Sequence, residues 1–340
     1  MSRPTRPRPM RLAAVAAAVL ALLVGISVVA LPGSSANAAT SCTGGAMNIV
    51  AHPDDDLFFQ SPHLIDTLQA GQCVTTAYLT GGDDGNDSSY WLAREQGVMS
   101  AYAQMLGVVS TWSSSTIALA GKTVVVRTLT AVPRVSLVFL RLPDGNLEGQ
   151  GFARTGYTSI PALESGGIPS ISALDGSSTY TKGQLAASLR ALVAAYQPVA
   201  LNTLDYKGSP GDGDHYDHYA VADLVHTLSD QYSTAHTFTG YEGYNTQNRA
   251  VNLTPAQVSA KSSAWYTYAP YDAETCQTSS ACASRPESAW LSRQYTVGTE
   301  SVTGTGQVDI ASAATVTASS ENAATGQTAA KAVDLSLIHI

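Results

Sequence analysis

The chain has 340 residues, of which 44% are hydrophobic, and a mean hydropathy of +0.02, so it can bury a large core and a mainly disordered state is excluded. The formal net charge is −8, but four of the 18 basic residues lie in the first eleven positions, which leaves 14 basic against 26 acidic residues, or −12. Because such a surface repels phosphate backbones, we expect no nucleic-acid partner.

The amino-terminal segment has the three parts of a secretory signal peptide. Residues 1–11 are basic, residues 12–31 are almost wholly apolar, and an Ala-Asn-Ala cleavage site follows at residues 36–38. A run of about 20 apolar residues can also span a bilayer, so a retained anchor is the alternative. Because Pro32 and the cleavage site favour processing, we expect a signal peptide over residues 1–38 and a secreted, extracellular protein without stable membrane insertion.

Four cysteines follow the expected cleavage site: Cys42, Cys73, Cys276 and Cys282. An even number of cysteines in an exported chain favours disulfides over free thiols. We expect Cys276 and Cys282 to close one short loop and Cys42 to join Cys73, although the sequence alone permits three pairings. A zinc site of four thiolates is disfavoured because no Cys-x-x-Cys spacing occurs.

The first secondary-structure elements form a β-α-β pattern. Short apolar runs at residues 46–51 and 73–79 predict two strands, and residues 57–70 can hold a helix between them. This unit implies parallel strands with a right-handed crossover. The next predicted helix, around residues 92–106, has Ser88 or Ser89 as its expected cap.

Alternation of strands and helices continues over about 200 residues. Apolar runs predict further strands at residues 123–126, 135–140 and 199–203. Apolar stripes at helical spacing predict helices around residues 185–196 and 221–232. The pattern indicates an α/β fold, a Rossmann-like three-layer domain with a mainly parallel sheet.

The composition changes near residue 298, where Ser, Thr, Gly and Ala replace large apolar residues, as in linkers. Only some forty residues follow, which is too few for a domain. We therefore expect the folded domain to cover residues 39–297 and a linker-like segment to cover residues 298–340.

Two clusters of acids and histidines follow predicted strands. Residues 51–56 (Ala-His-Pro-Asp-Asp-Asp) end the first strand, where open parallel sheets bind ligands. Adjacent carboxylates repel one another unless a cation neutralises them, although acids at a helix amino terminus are a simpler explanation. Residues 212–218 (Asp-Gly-Asp-His-Tyr-Asp-His) precede a helix and place two histidines three positions apart. The alternative there is a polar loop with incidental histidines.

Together the two clusters predict one metal site. His52, Asp55 and His218 supply two imidazoles and one carboxylate, the ligand set of a catalytic zinc ion with an open position for water, although iron(II) or cobalt(II) would also suit it. Asp54 is placed to take a proton from the attacking water. His215 remains to act as general acid or to stabilise an oxyanion, with Asp217 orienting its ring.

These motifs resemble the PIG-L (LmbE-like) family of zinc-dependent N-deacetylases. The family hallmarks are Ala-His-Pro-Asp-Asp-Glu and His-Pro-Asp-His; here Asp56 replaces the glutamate and Tyr216 replaces the proline. Thr80-Gly81-Gly82 and Arg94-Glu95 are similar to a third family stretch, and the resemblance extends over residues 47–244.

The resemblance implies the same three metal ligands, Asp54 as general base, His215 as the electrostatic partner of the transition state and Arg94 as a substrate contact. It also implies hydrolysis of the acetamide of N-acetylglucosamine-type sugars, which releases acetate. The sequence thus indicates a secreted zinc-dependent N-deacetylase whose partner is an N-acetylated amino sugar or glycan. The alternatives are a glycan-binding protein with a structural metal and a zinc amidase that acts on another amide.

Residues 314–320 and 329–334 resemble the opening of a discoidin-like (F5/8 type C) carbohydrate-binding domain. In that family a glycine and more than a hundred residues of β-sandwich normally follow, whereas here residues 335–340 (LSLIHI) end the chain. We expect residues 298–340 to contain a linker and a truncated start of such a domain.

Two loops and several aromatic residues are weaker candidates for substrate contact. We expect residues 83–87 to form a flexible acidic loop at the mouth of the site, because the calcium-binding EF-hand pattern is incomplete. Residues 143–147 (Pro-Asp-Gly-Asn-Leu) predict a turn after a strand. Aromatic faces can stack on sugar rings, but core packing is the favoured explanation for Trp91, Tyr241, Tyr244 and Trp265.

Overall fold

The computed structural model describes residues 42–304, so the predicted signal peptide and the discoidin-like segment lie outside the described residues. The strands are β1 (Ala46–Val50), β2 (Val74–Thr80), β3 (Trp112–Leu119), β4 (Lys122–Leu129), β5 (Val135–Leu142), β6 (Ile171–Ser172), β7 (Thr179–Tyr180), β8 (Ala200–Thr203), β9 (His236–Tyr241) and β10 (Thr296–Val302).

The helices of the same part of the chain are α1 (Asp55–Phe59), α2 (His63–Gln69), α3 (Ser88–Met105), α4 (Ile160–Glu164), α5 (Lys182–Tyr196), α6 (Tyr216–Gln231), α7 (Pro255–Tyr268), α8 (Ser279–Cys282) and α9 (Pro286–Trp290). Short 3-10 helices lie at Ala153–Thr155, Tyr244–Asn248 and Ala269–Tyr271.

Eight strands form the central sheet, in the order β10-β9-β8-β1-β2-β5-β4-β3, while β6 and β7 form a separate hairpin. The inner strands β9, β8, β1, β2 and β5 pair in parallel, and β10, β4 and β3 add antiparallel edges. The chain runs from β1 to β2 on one side and returns to β8 on the other. The crevice between β1 and β8 is therefore the position where this sheet type binds ligands.

Every residue of β1, β2 and β5 is buried. Alternate side chains of a strand point to opposite faces, so both faces of the inner sheet are covered. On β1 this cover includes α1 and α6, and two groups of helices pack around the sheet, one with α3 and α7 and one with α5 and α6. The predicted α/β fold, Rossmann-like with three layers and a mainly parallel sheet, is confirmed.

Three details differ from the sequence predictions. The helix expected over residues 57–70 is divided into α1 and α2 at Pro62, which lacks the backbone N–H that a continuous helix needs. The cap of α3 is Asp87, whose carboxylate accepts the Ser89 backbone N–H, rather than Ser88 or Ser89. Strand β10 pairs with β9 across the predicted boundary at residue 298, so the folded domain extends at least to Val302.

Both expected disulfides are present. Cys42 is joined to Cys73, the residue before β2, and Cys276 is joined to Cys282, the last residue of α8. The four cysteines of the sequence are therefore all paired. Within residues 42–304, none of the helices has the length and apolar character needed to cross a membrane.

Candidate active site

The three predicted metal ligands converge in the crevice between β1 and β8. His52 follows β1, Asp55 begins α1, and His218 lies in the first turn of α6. His52 Nδ1 lies 3.2 Å from His218 Nε2. The two Asp55 oxygens lie 3.0 Å from His218 Nε2 and 3.5 Å from His52 Nδ1. All three side chains are buried.

This spacing fits a tetrahedral metal ion. Nitrogen and oxygen ligands lie about 2.0–2.1 Å from zinc, so two ligand atoms of a tetrahedral site are about 3.3 Å apart. The observed separations of 3.0, 3.2 and 3.5 Å bracket that value. Two imidazoles and a carboxylate suit zinc or another divalent transition metal.

Each histidine of this cluster is held through its second ring nitrogen. His218 Nδ1 lies 2.8 Å from Asp214 Oδ1, and His52 Nε2 lies 3.2 Å from Asp217 Oδ2. Carboxylates in these positions orient metal-binding imidazoles and increase their basicity. Burial disfavours a charged His218 ring, but Asp214 and Asp55 outweigh it and raise the pKa of His218 to about 10. The cluster thus carries the negative charge that a cation would balance.

The position of Asp217 corrects the predicted role of its side chain. Its carboxylate lies 4.0 Å from His215 Nδ1 and instead accepts the Gly145 backbone N–H at 2.7 Å, besides facing His52. The backbone N–H of Asp217, not the carboxylate, donates to His215 Nδ1 at 3.1 Å. This difference arises because His215 is the cap of α6 and Asp217 lies inside the first turn, turned towards the loop after β5.

His215 and Asp144 complete the inner part of the site. One oxygen of Asp144, Oδ2, lies 3.7 Å from His52 Nε2, and the other, Oδ1, lies 3.7 Å from His215 Nε2. Burial and the nearby His52 lower the pKa of His215 to about 4, so the His215 ring is neutral near pH 7. Asp144 also contacts the predicted acidic loop at residues 83–87, because the Asp144 backbone N–H donates to Asp83 Oδ1 at 2.8 Å.

Sequence reasoning missed three parts of this arrangement. It placed Asp144 in a turn that was only a weak candidate for substrate contact, and it gave no role to Asp214, whose carboxylate lies 2.8 Å from His218 Nδ1. It also predicted that residues 83–87 form a flexible loop. Asp83 is fully buried, and its carboxylate positions the backbone of Asp144.

Asp54 and Arg94 lie at the wall of the site. Asp54 is the predicted general base, and its side chain, 17% exposed, faces the cavity. Burial raises the pKa of Asp54 to about 6 against the opposing effect of Arg94, whose Nη2 lies 2.9 Å from Asp54 Oδ1. Arg94 also lines the cavity, but it is buried and donates to the Gly82 carbonyl at 2.6 Å.

Asp56, the third acid of the first cluster, faces away from the cavity. Its Oδ2 accepts hydrogen bonds from Tyr78 at 2.9 Å and from Tyr102 at 2.6 Å, and the side chain is fully buried. The replacement of the family glutamate by Asp56 therefore falls in the interior of the protein, outside the ligand set.

The cavity has a volume of about 310 Å³, and its polar lining includes His52, Asp54 and His215. The cavity is also lined by the aromatic residues Phe58, Tyr244 and Trp290, and the rings of Tyr244 and Trp290 stack at 4.7 Å with an interplanar angle of 18°. Four aromatic residues were expected from the sequence to pack mainly in the core, and three of them, Trp91, Tyr241 and Trp265, are buried. Tyr244, by contrast, lines the cavity.

The fold and the site together define an α/β protein with a buried His/Asp cluster suited to a divalent metal ion. A family model described as PIG-L: GlcNAc-PI de-N-acetylase matches residues 47–229, and the chain belongs to this family. The family resemblance is thereby confirmed, while the discoidin-like segment stays a prediction.

Several solved structures match much of the chain at low sequence identity. An N,N'-diacetylchitobiose deacetylase from Pyrococcus horikoshii is 12% identical with a TM-score of 0.45, over 76% of this chain and 84% of that chain. A deacetylase of the teicoplanin biosynthetic pathway is 15% identical with a TM-score of 0.39, over 66% and 81%. A 4-carboxy-2-hydroxymuconate hydratase from Pseudomonas putida KT2440 is 12% identical with a TM-score of 0.39, over 73% and 83%. No curated protein matches the chain.

Proposed function

We propose that this protein is an exported, metal-dependent deacetylase that hydrolyses the acetamide of N-acetylated amino sugars and releases acetate. The observation that carries the proposal is the convergence of His52, Asp55 and His218 at distances of 3.0–3.5 Å, beside Asp54 in the same cavity. Membership of a family described by a de-N-acetylase reaction supports it.

His52, Asp55 and His218 are the residues that would hold the metal ion, with zinc as the favoured ion. A divalent ion bound there supplies Lewis acidity, both to the amide carbonyl and to the attacking water. Asp214 and Asp217 keep the two imidazoles in the orientation that this binding requires.

Asp54 moves the proton in this proposal. Its partly exposed carboxylate accepts a proton from water while the water oxygen forms a bond to the carbonyl carbon of the acetamide. The C–N bond then breaks, and Asp54 returns the proton to the nitrogen of the leaving amine. The products are acetate and a sugar with a free amine, so one water molecule is consumed and no other reactant is needed.

His215 stabilises the charge that develops on the carbonyl oxygen. The hydrogen bond from the Asp217 backbone occupies His215 Nδ1, so the proton of a neutral ring is on Nε2. That nitrogen faces the cavity beside Asp144 and can donate a hydrogen bond to an oxyanion. Donors of this kind lower the barrier most when they are already oriented, as His215 is by its backbone contact.

The cavity lining favours an uncharged sugar. Exposed acids at its rim, Asp84 and Glu274, add to Asp54 and Asp144 and repel anionic groups. The stacked rings of Tyr244 and Trp290 have an apolar surface that suits the C–H face of a sugar ring. These features support a neutral N-acetylated amino sugar as substrate.

Export is supported by the signal-like amino terminus and by the pairing of all four cysteines. The test is mass spectrometry of the protein recovered from the culture medium of an expressing bacterium. An amino terminus at Ala39 would support cleavage after residue 38, whereas protein retained in the membrane with an intact amino terminus would support the anchor.

The activity is tested by measuring primary amine released from N-acetylglucosamine and its short oligomers. Protein stripped by a chelator is compared with the same sample after zinc is restored, and an Asp55→Ala variant is the control for metal carried by the reagents. Amine that appears only with zinc supports the proposal. Binding of the sugars without amine release, with zinc verified as bound, would favour a glycan-binding protein. Neither binding nor release would favour another amide as substrate.

A further inference from the structure

Arg94 connects the proposed general base to a second carboxylate. Its Nη2 lies 2.9 Å from Asp54 Oδ1, and its Nε lies 3.1 Å from Asp272 Oδ2. Asp272 follows the 3-10 helix Ala269–Tyr271, in a part of the chain that the family match over residues 47–229 does not include. Asp54 and Asp272 therefore contact the same guanidinium although they are more than 200 residues apart in the sequence.

Asp272 is held more firmly than a surface acid. Its side chain is buried, and both of its oxygens accept hydrogen bonds. Oδ1 accepts from the Tyr90 hydroxyl at 2.7 Å and from the Glu274 backbone N–H at 3.1 Å, while Oδ2 accepts from the Tyr268 hydroxyl at 2.7 Å. The Tyr268 hydroxyl in turn accepts from Arg94 Nε at 2.7 Å. Asp272 thus has a position fixed by three donors besides Arg94.

The arrangement limits how Arg94 can meet Asp54. The Nε edge of Arg94 faces Asp272 and Tyr268, and Nη1 donates to the Gly82 carbonyl, so Nη2 is the nitrogen presented to Asp54. An unrestrained guanidinium would instead pair with Asp54 through two parallel hydrogen bonds. A carboxylate held in that way has both oxygens engaged by the guanidinium and is a weaker proton acceptor.

We infer that Asp272 is a positioning residue, which acts through Arg94 to keep the Asp54 carboxylate directed into the cavity. The inference rests on the proposed function in so far as Asp54 is the general base. A purely structural role for Asp272, as an anchor of the segment after α7, is the competing explanation, and the experiment must separate the two.

The kinetic test is a double-mutant cycle of Asp54→Asn and Asp272→Asn with zinc verified as bound in all four proteins. Asp272→Asn alone should lower kcat about 10-fold or more and change KM less than about twofold. In the Asp54→Asn background the same substitution should lower the residual kcat by less than about twofold, because Asp272 has no base left to position. Equal fold-losses in both backgrounds, or no loss in the native background, would overturn the inference.

A second cycle needs no substrate, and measures thermal unfolding of the same four proteins. The double variant leaves the buried Arg94 without a carboxylate, so its Tm should fall by more than the sum of the two single losses. Additive losses would show that the two acids are not coupled through Arg94 and would also overturn the inference. If the wild-type protein released no amine, the proposed function would fail, and this second cycle would still decide whether the coupling exists.

Asp175→Asn is the matched control. Asp175 Oδ2 accepts from Arg141 Nη1 at 2.7 Å, so this substitution also removes the charge of an arginine partner, but outside the cavity. It should leave kcat unchanged in both backgrounds. If Asp272→Asn does not fold, Tyr268→Phe weakens the same anchor while keeping the charge of Asp272, and it should give the same pattern of non-additive losses at smaller size.

Discussion

The backbone N–H of Asp217 donates a hydrogen bond to His215 Nδ1 at 3.1 Å. A peptide group in the first turn of α6 therefore orients the His215 ring. The interaction also serves the helix, since the His215 side chain caps α6 and satisfies one of its free N–H groups. The same contact therefore begins the helix that carries His218 and fixes which nitrogen of His215 bears the proton.

This geometry predicts the effect of replacing His215. His215→Ala should lower kcat about 100-fold to 1,000-fold, as measured for the loss of an oxyanion donor, and should leave the zinc content of the purified protein unchanged. The measurements are steady-state kinetics and metal analysis by mass spectrometry. Loss of zinc in this variant would instead place His215 among the ligands, in the group that it forms with His52, Asp144 and Asp217.

His218 should be essential for metal binding, and Asp214 should tune it. His218→Ala should abolish both bound zinc and turnover. Asp214→Asn removes the carboxylate behind the ring and should weaken zinc affinity about 10-fold to 100-fold, with activity restored by added zinc. Competition with a chromophoric chelator measures both affinities, and full zinc affinity in the His218 variant would contradict the ligand assignment.

Asp54→Asn separates proton transfer from metal binding. The variant should keep a full complement of zinc and lose about 100-fold or more in kcat, since a general base contributes a factor of this order. Near-native turnover with zinc bound would remove Asp54 from the mechanism.

Trp290 should contribute to substrate binding without affecting metal. Trp290→Ala removes one of the two stacked rings and should reduce kcat/KM for a neutral N-acetylated sugar about threefold to tenfold, mainly through KM. Trp112→Ala is the control, because Trp112 lies on the edge strand β3, outside the cavity. An equal effect of both substitutions would show a general loss of packing rather than a sugar contact.

Lys261 provides a pH test that is independent of the metal site. The Lys261 amino group is fully buried and donates to the carbonyls of Trp290 and Arg293, each at 2.7 Å, and burial lowers the pKa of Lys261 well below the usual value. Because the pKa of Lys261 is lower in the folded chain than in the unfolded chain, this residue favours the folded state more strongly as pH rises towards its ordinary pKa. The stability difference between wild type and Lys261→Met should shift in favour of wild type as pH rises towards the ordinary lysine pKa, measured by urea unfolding. A constant or opposite trend would contradict the assignment.

The sequence predicted the inner strands β1, β2, β5 and β8, but not β9, and it predicted that His52, Asp55 and His218 would lie close together. Strands buried on both faces are continuous apolar runs, and His52 and Asp55 follow such a run directly. The edge strand β3 (Trp112–Leu119) was not predicted because it is mostly exposed and contains three serines in succession, so it has no apolar pattern.

The residues in the outer part of the site could not be predicted from local sequence patterns. Asp272 and Trp290 lie far along the chain from the two motifs, and an isolated acid or tryptophan has many structural explanations. Their contacts to Arg94 and Tyr244 arise only when α7 packs against α3 and brings the following segment to the cavity. Contacts of this kind depend on tertiary packing and leave no recognisable motif in the sequence.

Strand β10 has a practical consequence for any shortened form of the protein. It pairs along β9 from Thr296 to Val302, so the edge strand on this side of the central sheet is β10 and the backbone of β9 is paired on both sides. A fragment ending at the composition change near residue 298 would leave the backbone N–H and C=O groups of β9 open to another chain. Such a fragment should self-associate through strand pairing, whereas one that ends after Val302 should remain monodisperse at the same concentration.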